Sequence, residues 1–262
     1  MTRIRLDQLL VDRELAPSRA AAQAMLLAGE VEMGGAGSRT LKPGLLVADD
    51  TLLSVDARPR WASRAAEKLE AALDAFGIEP AGLACLDAGA STGGFTDLLL
   101  SRGARIVYAV DAGRGQLLDR LARDPRVVSM ERTNLRSLRA LPEPIELATL
   151  DLSFISLRLV LPAVRGLLAD GGRVIALVKP QFEAGREAVP RGGVVRDSAT
   201  HLAVLLAFAE HAVAAGFSPA ALIASPLAGA DGNREFLADL RIGAKSNPEW
   251  PRLVDAVVAS AV

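Results

Sequence analysis

The sequence predicts an α/β protein, a Rossmann-like, doubly wound sheet preceded by a small α+β module. Three observations carry that reading. Ala81-Gly82-Leu83-Ala84-Cys85-Leu86 is a short apolar run with the character of a buried strand. Gly89, Gly93 and Gly94 follow it, and Phe95, Leu98, Leu99 and Leu100 then open a helical pattern. Downstream, apolar runs that end in polar residues alternate with helical stretches, the signature of a sheet whose ligands bind beyond the carboxyl ends of its strands.

Bulk properties narrow the classes. A length of 262 residues, half of them hydrophobic, supplies a core for one large domain or two. The 30 basic and 31 acidic residues nearly cancel, so any nucleic-acid contact must come from local basic patches. Cys85 is the single cysteine, which excludes a disulfide framework and a Cys-rich zinc site and fits a reducing compartment. With His201 and His211 the only histidines, no metal is expected. Arg3, Arg5 and Asp7 come too early for a signal peptide, and Pro, Gly or charge interrupts every long apolar run. A soluble, cytoplasmic protein is expected.

Residues 1–57 read as a separate unit. Helical spacing from Arg5 to Val11 is followed by Pro17-Ser18, a break and an N-cap for a second helix over 19–28. That helix places Ala22, Met25 and Leu26 on one face and stops at Gly29. Val31 and Met33 alternate before a turn at Gly34-Gly35-Ala36-Gly37, and Leu46-Val47 and Thr51 to Val55 read as short strands. Arg3, Arg5, Arg13 and Arg19 crowd the helical part, as a phosphate-contacting module would require.

Residues 58–62, Arg-Pro-Arg-Trp-Ala, form an expected linker, with Trp61 able to pack onto a neighbour. Ser63 caps a helix over 64–76, whose apolar stripe is Ala65, Leu69, Ala72, Leu73 and Phe76, with Lys68 near its start. The glycine turn and first strand lead a domain spanning 63–262. Strands then end at Asp111, near Thr133-Asn134, at Asp151 and at Lys179-Pro180. A helix over 200–215 and a hairpin of strands near 221–225 and 236–242 complete the expected elements.

The glycine turn reads G-x-x-x-G-G rather than the dinucleotide fingerprint G-x-G-x-x-G, and Asp87 stands two residues before its first glycine. A carboxylate there repels a pyrophosphate and suits a cation. S-adenosylmethionine carries an ammonium and a sulfonium and no phosphate, so it is the expected cofactor. Asp87, Gly89, Ala90, Ser91, Gly93, Gly94 and Phe95 are its expected cradle. Asp111 would accept the ribose hydroxyls, with Thr133 and Asn134 bordering the adenine. Asp151 would orient the ammonium. Lys179, its pKa lowered by partial burial and another cation, would take the proton of an incoming 2′-hydroxyl, Lys68 would align that hydroxyl, and Glu235 would complete the network.

Two resemblances extend this reading. Arg5-Leu6-Asp7 with Leu9-Leu10, Ser18-Arg19 with Ala22, Gly29 with Val31, Lys42-Pro43 and Asp50 are similar to the S4-type RNA-binding domain. The likeness implies that Ser18, Arg19 and Arg13 face phosphates. The chain departs from that pattern at Val31-Glu32-Met33-Gly34-Gly35, where Glu32 stands beside the expected RNA face.

Ser63-Arg64 with Lys68-Leu69, Leu86 to Thr96, Asp151-Leu152-Ser153-Phe154-Ile155-Ser156, Val178 to Glu183 and Gly192-Gly193-Val194-Val195 resemble the TlyA family. Its members join an S4-type domain to a class I, FtsJ-type methyltransferase domain. The resemblance implies 2′-O-methylation of cytidine in ribosomal RNA, of the large and in some members the small subunit. It also implies a Lys-Asp-Lys-Glu catalytic set falling on Lys68, Asp151, Lys179 and Glu235. The family is also labelled haemolysin.

Three rival readings differ in class. A nicotinamide-dependent oxidoreductase is opposed by the missing fingerprint and by Asp87. A non-catalytic ribosomal RNA-binding factor that kept the pocket is opposed by the intact tetrad. A membrane-active haemolysin needs an apolar segment, and the best stretch, 212–230, is broken by Gly216, Pro219 and Pro226.

Overall fold

The computed structural model describes residues 3–34, 41–55, 60–185, 187–229, 232–243 and 245–260. They fall into two units, Met1–Arg64 and Ala65–Val262. The division comes at Arg64, later than the module end expected at 57. Of the expected linker, Arg58 and Pro59 lie outside the described residues, and the Arg60 guanidinium lies 4.7 Å from the centroid of the Trp61 ring.

In the first unit, strand β1 (Arg3–Arg5) runs directly into helix α1 (Leu6–Asp12), so the helix expected from Arg5 starts one residue later. Three residues are too few to register as a strand by alternation. Helix α2 (Arg19–Ala28) lies where its cap and stop signals put it. Ser18 Oγ accepts the Ala21 N–H, and Gly29 ends the helix in the left-handed conformation at φ 75°. β2 (Val31–Met33), β3 (Leu46–Ala48) and β4 (Leu53–Val55) follow. β1 pairs antiparallel with β3, and β2 with β4. Leu6, Leu9, Leu10, Ala22, Leu26, Val31 and Val47 bury together as the core. Of the expected glycine turn, only Gly34 is among the described residues.

The second unit opens with α3 (Ala65–Phe76), which buries Ala66, Leu69, Ala72 and Leu73. Next come β5 (Ala84–Ala88), α4 (Gly94–Ser101), β6 (Ile106–Val110), α5 (Asp119–Ala122), β7 (Val127–Met130) and β8 (Ile145–Leu150). The chain continues through α6 (Leu161–Leu167), β9 (Leu168–Val178), α7 (Pro180–Glu183), α8 (Ser198–Ala214), β10 (Phe217–Ala224), β11 (Phe236–Ile242) and α9 (Trp250–Ser260). Among the described residues these strands form one seven-stranded sheet in the order β10-β11-β9-β8-β5-β6-β7. The pairs among β5 to β9 are parallel, whereas β11 runs antiparallel to both neighbours. Pro219 sits at a register shift on the edge strand β10, where its missing N–H costs no internal ladder bond. Helix α9 was not anticipated, although Trp250, Val254 and Val258 recur every four residues and are all buried.

Of the stretch 212–230, the best candidate for a membrane segment, residues 212–214 end α8 and residues 217–224 form strand β10. No helix among the described residues is long and apolar enough to cross a membrane.

Candidate active site

Strand pairing brings the predicted residues to one edge of the sheet. Ala88 at the end of β5 pairs with Val110 of β6 and Leu150 of β8. The residues that follow these three, Gly89, Asp111 and Asp151, therefore emerge side by side. Val178 of β9 pairs with Phe236 of β11. One step beyond that pair, Lys179 leaves β9 as Glu235 enters β11. Because β11 is reversed, it delivers its carboxylate with its amino end.

Two ion pairs result. Lys179 Nζ lies 2.6 Å from Asp151 Oδ1 and donates to Ser153 Oγ at 3.1 Å. Lys68, projecting from α3, donates to Glu235 Oε2 at 2.5 Å. All four side chains are largely buried, so each charge is matched by the other member of its pair, as buried charges must be.

Beside the pairs lies a cleft of about 440 Å³. Of the residues expected to hold the cofactor, Gly89, Ser91, Asp111, Thr133, Asn134 and Asp151 line it. Asp111 is fixed by two backbone donors, Ser91 N–H to Oδ2 at 2.9 Å and Gly113 N–H to Oδ1 at 2.6 Å. Each oxygen keeps a lone pair for a ligand. Gly89 has φ 88°, and a Cβ there would overlap the Asp151 carbonyl oxygen. The turn thus requires glycine on two counts. Thr133 gives its hydroxyl to the Glu131 carbonyl, and Asn134 Oδ1 accepts the Arg136 N–H as a helix cap.

The remaining predicted cradle residues do not reach the cleft. Asp87, expected to face a cationic ligand, is wholly buried within β5. Its Oδ2 accepts both the backbone N–H and the hydroxyl of Thr96, at 2.9 and 2.7 Å, which locks the start of α4 to the strand. Burial, with a smaller contribution from Asp151, pushes its pKa up to about 7. Gly93, at φ 97°, caps α4 and packs closely under Leu117 and Leu121. Ala90, Gly94 and Phe95 are buried. These five shape the turn and do not line the cleft.

The residues missed are Val110, Ala112, Gln116, Leu135, Leu152, Ser153, Phe154, Ile155 and Val160, all on the cleft wall. Ser153 and Phe154 stood within the Asp151 motif, but position in sequence gave no sign of which way they point. Phe154 is 91% exposed and holds φ 65°, left-handed backbone that a bulky residue adopts only under constraint.

The chain has relatives. The sequence pattern of FtsJ-like methyltransferases matches residues 61–241, well over half of the chain. The chain belongs to the FtsJ-like methyltransferase family. Among its relatives is a Mycobacterium tuberculosis protein named 16S/23S rRNA (cytidine-2′-O)-methyltransferase TlyA. It is 47% identical over 243 residues, covering 91% of this chain and 90% of that protein. Hemolysin A of Brachyspira hyodysenteriae is 37% identical, covering 90% and 98% of the two chains. The solved structure of a putative hemolysin from Streptococcus thermophilus superposes with a TM-score of 0.78 at 43% identity, covering all of this chain and 96% of that one. The FtsJ-like match begins at residue 61 and takes in Lys68, Asp151, Lys179 and Glu235 alike.

The expected RNA face of the first unit is partly consumed by its own fold. Asp7 is buried and accepts from Arg5 Nε and Nη2, Arg19 Nε and Gln23 Nε2, at 2.9 to 3.0 Å. Hydrogen bonding from Arg5 first, and then from Gln23 and Arg19, holds its carboxyl far below the usual carboxylate range. Arg13 donates to the carbonyls of Asp49 and Thr51, and Ser18 caps α2. Arg3 is exposed on β1. Four of the five predicted RNA-facing residues therefore also hold the unit together. Arg5 and Arg19 nevertheless keep about half of their side chains exposed.

Proposed function

We propose that this chain transfers a methyl group from S-adenosylmethionine to the ribose 2′-hydroxyl of a cytidine in ribosomal RNA, and that residues 1–64 form an S4-like module that docks the RNA. The observation that carries the reading is the pair of buried Lys–carboxylate contacts beside a cleft lined by two carboxylates and by no lysine or arginine. Such a lining suits a cationic, phosphate-free ligand and opposes a pyrophosphate.

The cleft fits that cofactor. Gly89 leaves its floor open, Asp111 presents free lone pairs to a ribose, and Val110, Leu135 and Val160 offer an apolar strip to an adenine. When bound, the cofactor supplies an electrophilic methyl on a sulfonium. Asp151 orients the ammonium end. Lys179, after its own proton has passed to solvent, accepts the 2′-hydroxyl proton at Nζ, which the contacts with Asp151 and Ser153 hold in line. Lys68, held by Glu235, keeps the hydroxyl facing the methyl. In the first unit, Asp7 preorganises Arg5 and Arg19 for phosphates.

The test is transfer of label from tritiated S-adenosylmethionine to unmethylated 70S ribosomes and separated subunits, with wild type and Lys179→Ala side by side. Label on RNA from the wild type, reduced by about 10²–10⁴-fold in the variant, is expected. Equal labelling by both proteins removes Lys179 as the base. Cofactor binding without any labelled RNA moves the assignment to a non-catalytic RNA-binding factor.

A further inference from the structure

A second cavity, of about 470 Å³, adjoins the cleft and shares Phe154 and Ile155 with it. Its other walls include Ser156, Gln181 and Phe182. Two features set it apart. The rings of Phe154 and Phe182 stand 5.2 Å apart at 51°, leaving an exposed aromatic face beside the opening. Gln181 Oε1 is buried and has no hydrogen-bond partner among the described residues. Native proteins satisfy nearly all such atoms, so a buried acceptor without a donor calls for an explanation. Gln181 follows Lys179 by two residues and is the second residue of α7.

A flat ring with an N–H donor on its edge meets both needs. We propose that Gln181 selects the base of the nucleotide to be methylated, its side-chain amide turning from its buried position toward the cavity so that Oε1 accepts a hydrogen bond from the exocyclic amine of cytosine. The inference rests on the ribose methyltransferase reading, because the ribose must lie at Lys179 for the attached base to reach this cavity. Uracil has a carbonyl where cytosine has the amine. Against uracil, Oε1 would stay unpaired and would face a second acceptor. Sites built to bond a substrate N–H reject the analogue lacking it, because their own buried group is left unsatisfied.

The test uses ribosomal RNA in which the labelled nucleotide has been mapped with the wild-type enzyme. Subunits carrying cytidine or uridine at that position are offered to the full-length wild type, Gln181→Leu and Gln181→Glu. Wild type is expected to prefer cytidine by roughly 10- to 100-fold or more. Gln181→Leu is expected to bring the ratio to within a few-fold, through slower transfer to cytidine. Gln181→Glu keeps an acceptor and cannot donate when ionised, so it keeps the preference. Unchanged S-adenosylmethionine affinity reports an intact fold in each variant. A cytidine preference that survives in Gln181→Leu overturns the proposal, as does its loss in Gln181→Glu with the cofactor still bound. Wild type that labels no ribosomal RNA overturns the underlying reading instead, and this inference with it.

Discussion

The Ser156 hydroxyl donates to Glu183 Oε2 at 2.6 Å, and the neighbouring Leu157 N–H donates to Oε1 at 2.8 Å. One carboxylate therefore ties the segment after β8, which carries Asp151, Ser153 and Phe154, to the short helix that follows Lys179. Burial raises the Glu183 pKa and these two bonds oppose the rise. Glu183→Ala is expected to lower stability by about 1–3 kcal/mol, since it leaves a partly buried hydroxyl and N–H unpaired. Methyl transfer should fall more than cofactor affinity, because the reacting groups lose their alignment. Denaturant unfolding and steady-state kinetics check both.

Asp87 makes stability depend on pH. Its folded pKa of about 7 lies above the ordinary value of 3.8, so its contribution is full below about pH 3.8 and is lost as pH rises through 7. At 1.4 kcal/mol per pH unit, the loss over that window is on the order of 4 kcal/mol. Asp87→Asn keeps an oxygen for Thr96 and cannot ionise. Urea unfolding between pH 4.5 and 7.5 should give a flatter profile for the variant than for the wild type. Parallel profiles would assign the slope to other groups.

Gly89→Ala puts a Cβ against the Asp151 carbonyl oxygen at a backbone angle that L-residues avoid. We expect a cost of about 1–3 kcal/mol in stability. Loss of S-adenosylmethionine binding, measured by calorimetry, should accompany it, because relief of the overlap displaces the cleft floor.

In the first unit, Asp7→Asn leaves two guanidinium groups without their counter-charge. Both arginines are half exposed, so solvent screening limits the loss to about 1–3 kcal/mol. The Asp7 carboxyl titrates far below its ordinary value. Its contribution is therefore present above about pH 3.8 and is lost as pH falls below that. Hydrogen exchange in α1 and α2 should accelerate in the variant at pH 7. Below the titration window, wild type and variant should converge.

Strand ends were the most legible part of the chain. Asp111 and Asp151 each close an apolar run, and the sheet sets both on the cleft wall. Asp87 misled because all of β5 is buried on both faces, so period-two alternation carried no information on which way its carboxylate points. The basic residues of the first unit were visible as a cluster, but their attachment to one buried carboxylate was not, because Asp7 reads as an ordinary first-turn acid. Phe154 and Gln181 lay inside recognised motifs. Their importance comes from backbone conformation and from burial without a partner, which no local pattern encodes.

The contact between Lys68 and Glu235 spans 167 positions. At a synthesis rate of roughly 5–20 residues per second, about 8–33 s separate the appearance of the lysine from that of its carboxylate. Until then β11 is missing from the sheet, and the nascent chain holds a cation whose counter-charge has yet to be made. For a protein proposed to modify ribosomes, the consequence is temporal: the proposed reaction centre is completed only when Glu235 has been made, 167 residues after Lys68, by the kind of machine it would act on.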